Sequence, residues 1–285
     1  MKTMTHLVRS VIVGVLLGLT AESFAETRVT WVGGTEGDFN VAANWDPAKV
    51  PSSEKTTVYI AVFTNSVSFS NTSSYYWYGG GVEVSGNSTV LFSSGRYMPT
   101  TAGLGDVHVF DIEEGSSLTF DGSIFYGNSA IPLVKKGGGL LKTTGWFGNS
   151  SVAGREFGLV DVQDGTIFAA KGDYRWNCVS NIVVRPSGTF KVATGGGLNQ
   201  TFLPCATVEA GGTLDLGEKT LTLASLSGAG TVTNGTTLHV TLKLRDPAEE
   251  VAVSFLEPTS AGSFGFAING EKSVIAPIPR KISGG

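Results

Sequence analysis

Charge, cysteine and histidine are all scarce in this sequence, and each shortage removes a class of function. Asp, Glu, Lys and Arg together make up 15% of 285 residues, with a formal net charge of -4. No Lys- or Arg-rich run is present to neutralise phosphates and release their counterions, so no nucleic-acid partner is expected. Beyond the N-terminal segment the only histidines are His108 and His239, and neither stands in a catalytic triad or a metal-ligand spacing. No Gly-x-Ser-x-Gly turn precedes a helix pattern, and the glycine runs lack the Lys-Ser/Thr context of phosphate loops. From these absences no catalytic residue, no metal and no cofactor is expected.

Long apolar runs are missing as well. Val11 to Leu19 is about half of the roughly twenty residues that a membrane-spanning helix needs. With Lys2 and Arg9 before or within the segment and Ser23-Phe24-Ala25 after it, residues 1–25 read as a secretory signal peptide cut before Glu26. Removing Lys2, Arg9 and Glu22 turns the formal charge of -4 into -5, and no transmembrane segment remains. The protein is therefore expected outside the cell or on its outer surface. In that oxidising setting the two cysteines, Cys178 and Cys205, have two readings: a disulfide between neighbouring repeats, or two small buried hydrophobes.

What the chain does have is glycine, 39 residues of it, with abundant Ser, Thr and Val. That balance disfavours helices and suits short strands joined by tight turns. One pattern recurs. Val208-Glu209-Ala210-Gly211-Gly212-Thr213-Leu214-Asp215-Leu216 matches Ile112-Glu113-Glu114-Gly115-Ser116-Ser117-Leu118-Thr119-Phe120 position by position. Val184-Arg185-Pro186-Ser187-Gly188-Thr189-Phe190-Lys191-Val192 lies 24 residues before the copy at Val208, and Val84, Val90 and Phe92 give a weaker copy. Val160 falls another 24 residues before Val184, although Val162 to Ile167 is closed up by a residue or two. Each copy is a strand end, a glycine turn and a second strand with alternating apolar residues. A single copy cannot bury its own apolar face, whereas stacked copies bury a continuous core. The expected fold is all-β, a right-handed parallel β-helix over 53–245. A β-sandwich of hairpins is the rival, and it accounts less well for one turn motif returning in register.

The segment Leu133-Val134-Lys135-Lys136-Gly137-Gly138-Gly139-Leu140-Leu141-Lys142-Thr143-Thr144-Gly145 resembles the autotransporter-associated β-strand repeat: a Lys, a Gly-x-Gly pair, then alternating leucines ending at Gly. Leu226-Ser227-Gly228-Ala229-Gly230-Thr231-Val232-Thr233-Asn234-Gly235 is similar to a shorter instance. The resemblance covers roughly residues 130–240 and implies a passenger-like parallel β-helix with an adhesive or surface-structural role. Thr143 departs from the pattern, which has an apolar residue there, so that strand is expected to be half-exposed. Trp31-Val32-Gly33-Gly34, Gly37, Phe39 and Asn44-Trp45-Asp46-Pro47 are similar to segments that open many exported bacterial repeat proteins. Residues 26–52 are accordingly expected to cap the open end of the solenoid with two tryptophans.

Two constellations compete with a purely structural role. Tyr75-Tyr76-Trp77-Tyr78 is the densest aromatic run; alternation along a strand turns some of these rings outward, and Tyr76, Trp77 and Tyr78 are the candidates for stacking on a sugar. Arg155, Glu156, Asp161, Asp164, Lys171, Asp173 and Arg175 form the densest charged segment, and paired carboxylates there could act as acid and base on a polysaccharide. The expected partners are thus a glycan or a host or cell-surface component. After Asp246 prolines appear at 247, 258, 277 and 279, and 246–285 reads as a tail or the start of a further region.

Overall fold

The computed structural model describes residues 25–51, 57–69, 80–93, 96–97, 108–121, 124–125, 131–147, 157–170, 179–192, 204–217, 221–233, 240–245, 250–255 and 263–265. They form a parallel β-solenoid. Successive strands along the chain stack on one another in parallel, in two adjoining ladders.

The first ladder takes Ala25–Trp31, Thr57–Phe63, Gly81–Val84, His108–Ile112 and Leu133–Lys136 in chain order. It continues through the first halves of Phe157–Ala169 and Val179–Val192, then Cys205–Val208 and Ser225–Gly228. The second ladder takes Val67–Phe69, Thr89–Phe92, Ser117–Phe120 and Leu140–Thr143, the second halves of the two long strands, Thr213–Asp215 and Thr231–Thr233. Parallel pairing of consecutive strands cannot come from hairpins, which join antiparallel neighbours, so the sandwich is ruled out. Antiparallel pairs occur at the margins, where Trp45–Asp46 lies on Ala25–Trp31 and Ser263–Gly265 on Thr231–Thr233, and in a three-stranded sheet where Val240–Arg245 pairs antiparallel with Glu250–Phe255 and parallel with Leu221–Leu223.

Register explains the repeat. Val184 pairs with Val208 and Thr189 with Thr213, the offset of 24 seen in the sequence. One coil earlier, Val162 and not Val160 pairs with Val184, and an irregularity between Val162 and Asp164 restores the register so that Ile167 meets Phe190. That irregularity is the missing residue that closed up the 162–167 copy. Gly115 and Gly211, the shared glycines of the best-matched copies, have φ of 81° and 95°, which explains why the motif keeps glycine there. Gly188 is held for a different reason: a Cβ on it would lie 2.3 Å from the Val162 carbonyl of the coil beneath.

Because a strand turns alternate residues to opposite faces, each register position becomes a column running through the rod. One inward column of the second ladder runs Val67, Val90, Leu118, Leu141, Ile167, Phe190, Leu214 and Val232, all buried. The next runs Phe69, Phe92, Phe120, Thr143, Ala169 and Val192. Thr143 corrects an expectation: it is 1% exposed, not half-exposed, because its strand is sandwiched between coils and its position points inward. Among the described residues its hydroxyl finds no hydrogen-bond partner.

At the N-terminal end Trp31, Phe39 and Trp45 close the core, with Trp45 edge-on to Trp31 at 5.2 Å and to Phe39 at 5.0 Å. Their polar atoms are satisfied locally: Trp31 Nε1 donates to the Gly34 carbonyl at 3.0 Å and Trp45 Nε1 to the Phe39 carbonyl at 2.8 Å. The same 26–52 segment that carries these rings also supplies the first strand of the ladder, paired with Thr57–Phe63.

Candidate functional site

Polar chemistry is distributed over five places, of which two lie inside the rod. His108 is 4% exposed and occupies an inward column together with Leu133, Val160, Ile182 and Ala206. Burial pushes its imidazole down to about 3, so the ring is neutral at physiological pH. Lys135 stands in the neighbouring inward column, between Phe110 and Val162, and is fully buried. Its ammonium donates to the carbonyls of Lys136 at 2.6 Å, Gly137 at 2.5 Å and Asp164 at 3.3 Å. Desolvation lowers it to about 8, against the opposing pull of Asp164 and Asp111. Three carbonyls around one ammonium satisfy all its donors, which is what permits a lysine in an apolar column. The tight turn supplies two of those carbonyls.

Outside that turn lies an open groove of about 400 Å³ lined by Val62, Glu83, Val84, Ser85, Asp111, Glu113, Glu114, Gly137 and Gly138. Its carboxylates are partly committed to the scaffold. Glu83 accepts from Arg28 at 2.8 Å, and Glu113 accepts from the Gly86 amide at 2.7 Å. Among the described residues no group of three or more His, Cys, Asp or Glu side chains is arranged to hold a metal ion.

The fourth place is a charge ladder across three coils. Arg185 donates to Asp161 at 2.8 Å and to Glu209 at 2.6 Å, and Gln163 donates to Asp161 at 3.0 Å. The hydrogen bond to Asp161, then that to Glu209, raises the Arg185 guanidinium above its ordinary value. Asp161 is 6% exposed beneath these partners. The fifth place is the outward face of the second ladder, where Lys191 pairs with Asp215 at 3.0 Å.

Of the charged segment predicted from sequence, Asp161 and Asp164 are described, and both are engaged in the scaffold. Asp161 is held by Arg185 and Gln163, while the Asp164 side chain accepts from the Gly165 amide at 2.7 Å. Arg155, Glu156, Lys171, Asp173 and Arg175 lie outside the described residues, as do His239, Cys178 and the sugar-stacking candidates Tyr76, Trp77 and Tyr78. Cys205 is exposed at the start of its strand, with its backbone paired to Asn181. Sequence reasoning missed that Lys135 points into the core. The signal was present: in Leu133-Val134-Lys135 the alternation that turns Leu133 inward turns Lys135 inward too.

Comparison with protein-family models, with curated proteins and with solved structures finds no match to this chain.

Proposed function

We propose that this chain is an exported, non-catalytic β-solenoid of autotransporter-passenger type that serves as an adhesive or structural rod at the cell surface. The observation that supports it most is what the surface charges do. Arg185 staples three successive coils through Asp161 and Glu209, Arg28 reaches past one coil to Glu83, and Lys191 ties to Asp215 in the next coil. Charges spent on holding neighbouring coils together suit a stiff scaffold better than a reaction centre, which needs such groups turned toward a substrate. The leader at residues 1–25 and the repeat-like segment at 133–145 support export and the passenger-type assignment.

The test begins with the whole chain expressed with its leader in a bacterial host. The expected outcome is a product outside the cytoplasm that begins at Glu26, with scattering from an elongated particle. A cytoplasmic, uncut product would overturn the export reading. Turnover of any plant, mucin or algal glycan that disappears in Asp161→Asn would replace the rod with an enzyme.

A further inference from the structure

The outward face of the second ladder carries a row unlike the rest of the rod. Register places Lys142 beside Phe168 and Phe168 beside Lys191 in three successive coils. Lys142 Nζ lies 5.9 Å and Lys191 Nζ 5.5 Å from the centre of the Phe168 ring, so the ring has a cation on either side. All three side chains are partly exposed. Two residues earlier in each strand, and therefore on the same face, runs a parallel row of Ser117, Leu140, Thr166, Thr189 and Thr213, also partly exposed.

These groups make a flat strip with a ring, ammonium groups and hydroxyls spaced by the coil repeat of about 4.8 Å. An extended chain lying along the rod axis meets them one after another. Between the two ammoniums the partly exposed edge of the ring offers an apolar contact for pyranose C–H groups, the hydroxyls offer exchangeable hydrogen bonds, and the ammoniums call for negative charge. Lys191 shares its charge with Asp215, while Lys142 has no carboxylate partner among the described residues. In a chain whose formal charge is -4 this positive strip is a local arrangement and not a reflection of overall charge. Two lysines are too few to track a nucleic-acid backbone, whose binding rests on many phosphate contacts.

We propose that this face binds a linear anionic polysaccharide along the rod axis, with the free edge of Phe168 as its apolar contact and Lys142 and Lys191 as its charge partners. The proposal names a partner for the surface rod described above and rests on that reading only for the protein's being outside the cell. The shared chemistry is a negatively charged pyranose chain; its charge can be carboxylate or sulfate.

The full-length chain, its leader removed by export or by cleavage, is titrated at low salt with polygalacturonate, a sulfated glycosaminoglycan, a neutral glucan and oligothymidylate. Saturable binding to one or both anionic glycans is expected, weakened by added salt. Phe168→Thr, which keeps a β-branched residue on the strand, and Lys142→Gln are each expected to weaken it about tenfold. Glu36→Gln, on the N-terminal segment, should leave it unchanged. Preference for polygalacturonate assigns carboxylate, preference for the sulfated chain assigns sulfate, and equal binding assigns any anionic glycan. No binding to either, equal binding of the neutral glucan, tighter binding of oligothymidylate, or affinity untouched by both variants overturns the proposal. If Phe168→Thr fails to fold, the partly exposed Lys142→Gln decides alone. A chain that binds when purified but is never exported refutes the surface rod and leaves this site standing; an exported chain that binds nothing does the reverse.

Discussion

The N-terminal coils and the middle coils of the rod share one backbone ladder and fill it with opposite kinds of side chain. In the N-terminal coils one inward column is a stack of rings, Phe69 on Phe92 at 4.7 Å and Phe92 on Phe120 at 5.3 Å, with Phe39, Trp31 and Trp45 packed edge-on at its end. One coil further the same column passes to Thr143 and then Ala169, and the neighbouring ladder carries Lys135 in place of an apolar residue. Main-chain pairing runs through both regions, with one register shift between Val162 and Asp164. The ladder is therefore indifferent to the core's chemistry, and the stability of each coil depends on what its columns bury.

The largest expected effect tests that division directly. Phe92→Ala removes a ring that touches Phe69 and Phe120 on either side and is expected to cost about 3–5 kcal/mol. Val192→Ala, in the same column beyond the middle coils, is expected to cost about 2 kcal/mol. Urea denaturation followed by circular dichroism measures both. Equal losses would mean that stability is shared evenly along the rod and that the aromatic end has no special weight.

The next effect belongs to His108 and Lys135, the two ionisable side chains turned into the core columns. His108 falls from its ordinary value to about 3 on folding, so between about pH 6.5 and 3 the unfolded chain binds more protons than the folded one. Stability contributed by the neutral ring is full above pH 6.5 and is lost as the pH falls through that window, on the order of 5 kcal/mol in all. Lys135 falls from its ordinary 10.5 to about 8, so the same sign applies higher up: stability rises as the pH is raised from about 8 to 10.5. Chemical denaturation across pH should show both rises. His108→Phe should flatten the acid limb and Lys135→Met the alkaline one, and an acid limb unchanged in His108→Phe would show that surface carboxylates drive it.

These two residues also mark where sequence reading reached and where it stopped. The solenoid was legible because Val184 and Val208, and Ser117 and Thr213, recur at fixed places around a glycine turn, and stacking alone rewards such recurrence. The inward columns followed from alternation. Two positions were harder to read, for a physical reason: side-chain chemistry and side-chain direction disagree there. Lys135 looks like a surface residue and is turned inward by its neighbours, with the turn carbonyls supplying what water would have supplied. Thr143 looked half-exposed because it is polar, although its place in the alternation is that of Leu141's partner in the core. On the surface the limit was different: sequence grouped Asp161 with neighbouring charges along the chain, whereas in the fold its partner is Arg185, one coil away. Likewise Lys142, Phe168 and Lys191 are 26 and 23 residues apart along the chain and become neighbours through stacking alone.

The smallest expected effect asks whether the middle coils are weak by necessity. Thr143 sits between Phe120 and Ala169 with its hydroxyl unbonded among the described residues. Burying a hydroxyl without a partner costs roughly 1–3 kcal/mol relative to an apolar group of the same shape. Val has nearly the shape of Thr and keeps the β-branch that suits a strand, so Thr143→Val should leave packing in place and remove that cost. A gain of about 1 kcal/mol is expected in the same urea assay, the lower end of the range because part of the cost is relieved by small adjustments of the hydroxyl. It should narrow the gap between Phe92→Ala and Val192→Ala only if the coils unfold as separate units. In a rod that unfolds all at once, the gain adds equally to every variant, because stability is then a single sum over coils and their interfaces. A loss of stability in Thr143→Val would show that the hydroxyl is bonded in solution, and the contrast between the ring-stacked coils and the middle coils would then rest on volume alone.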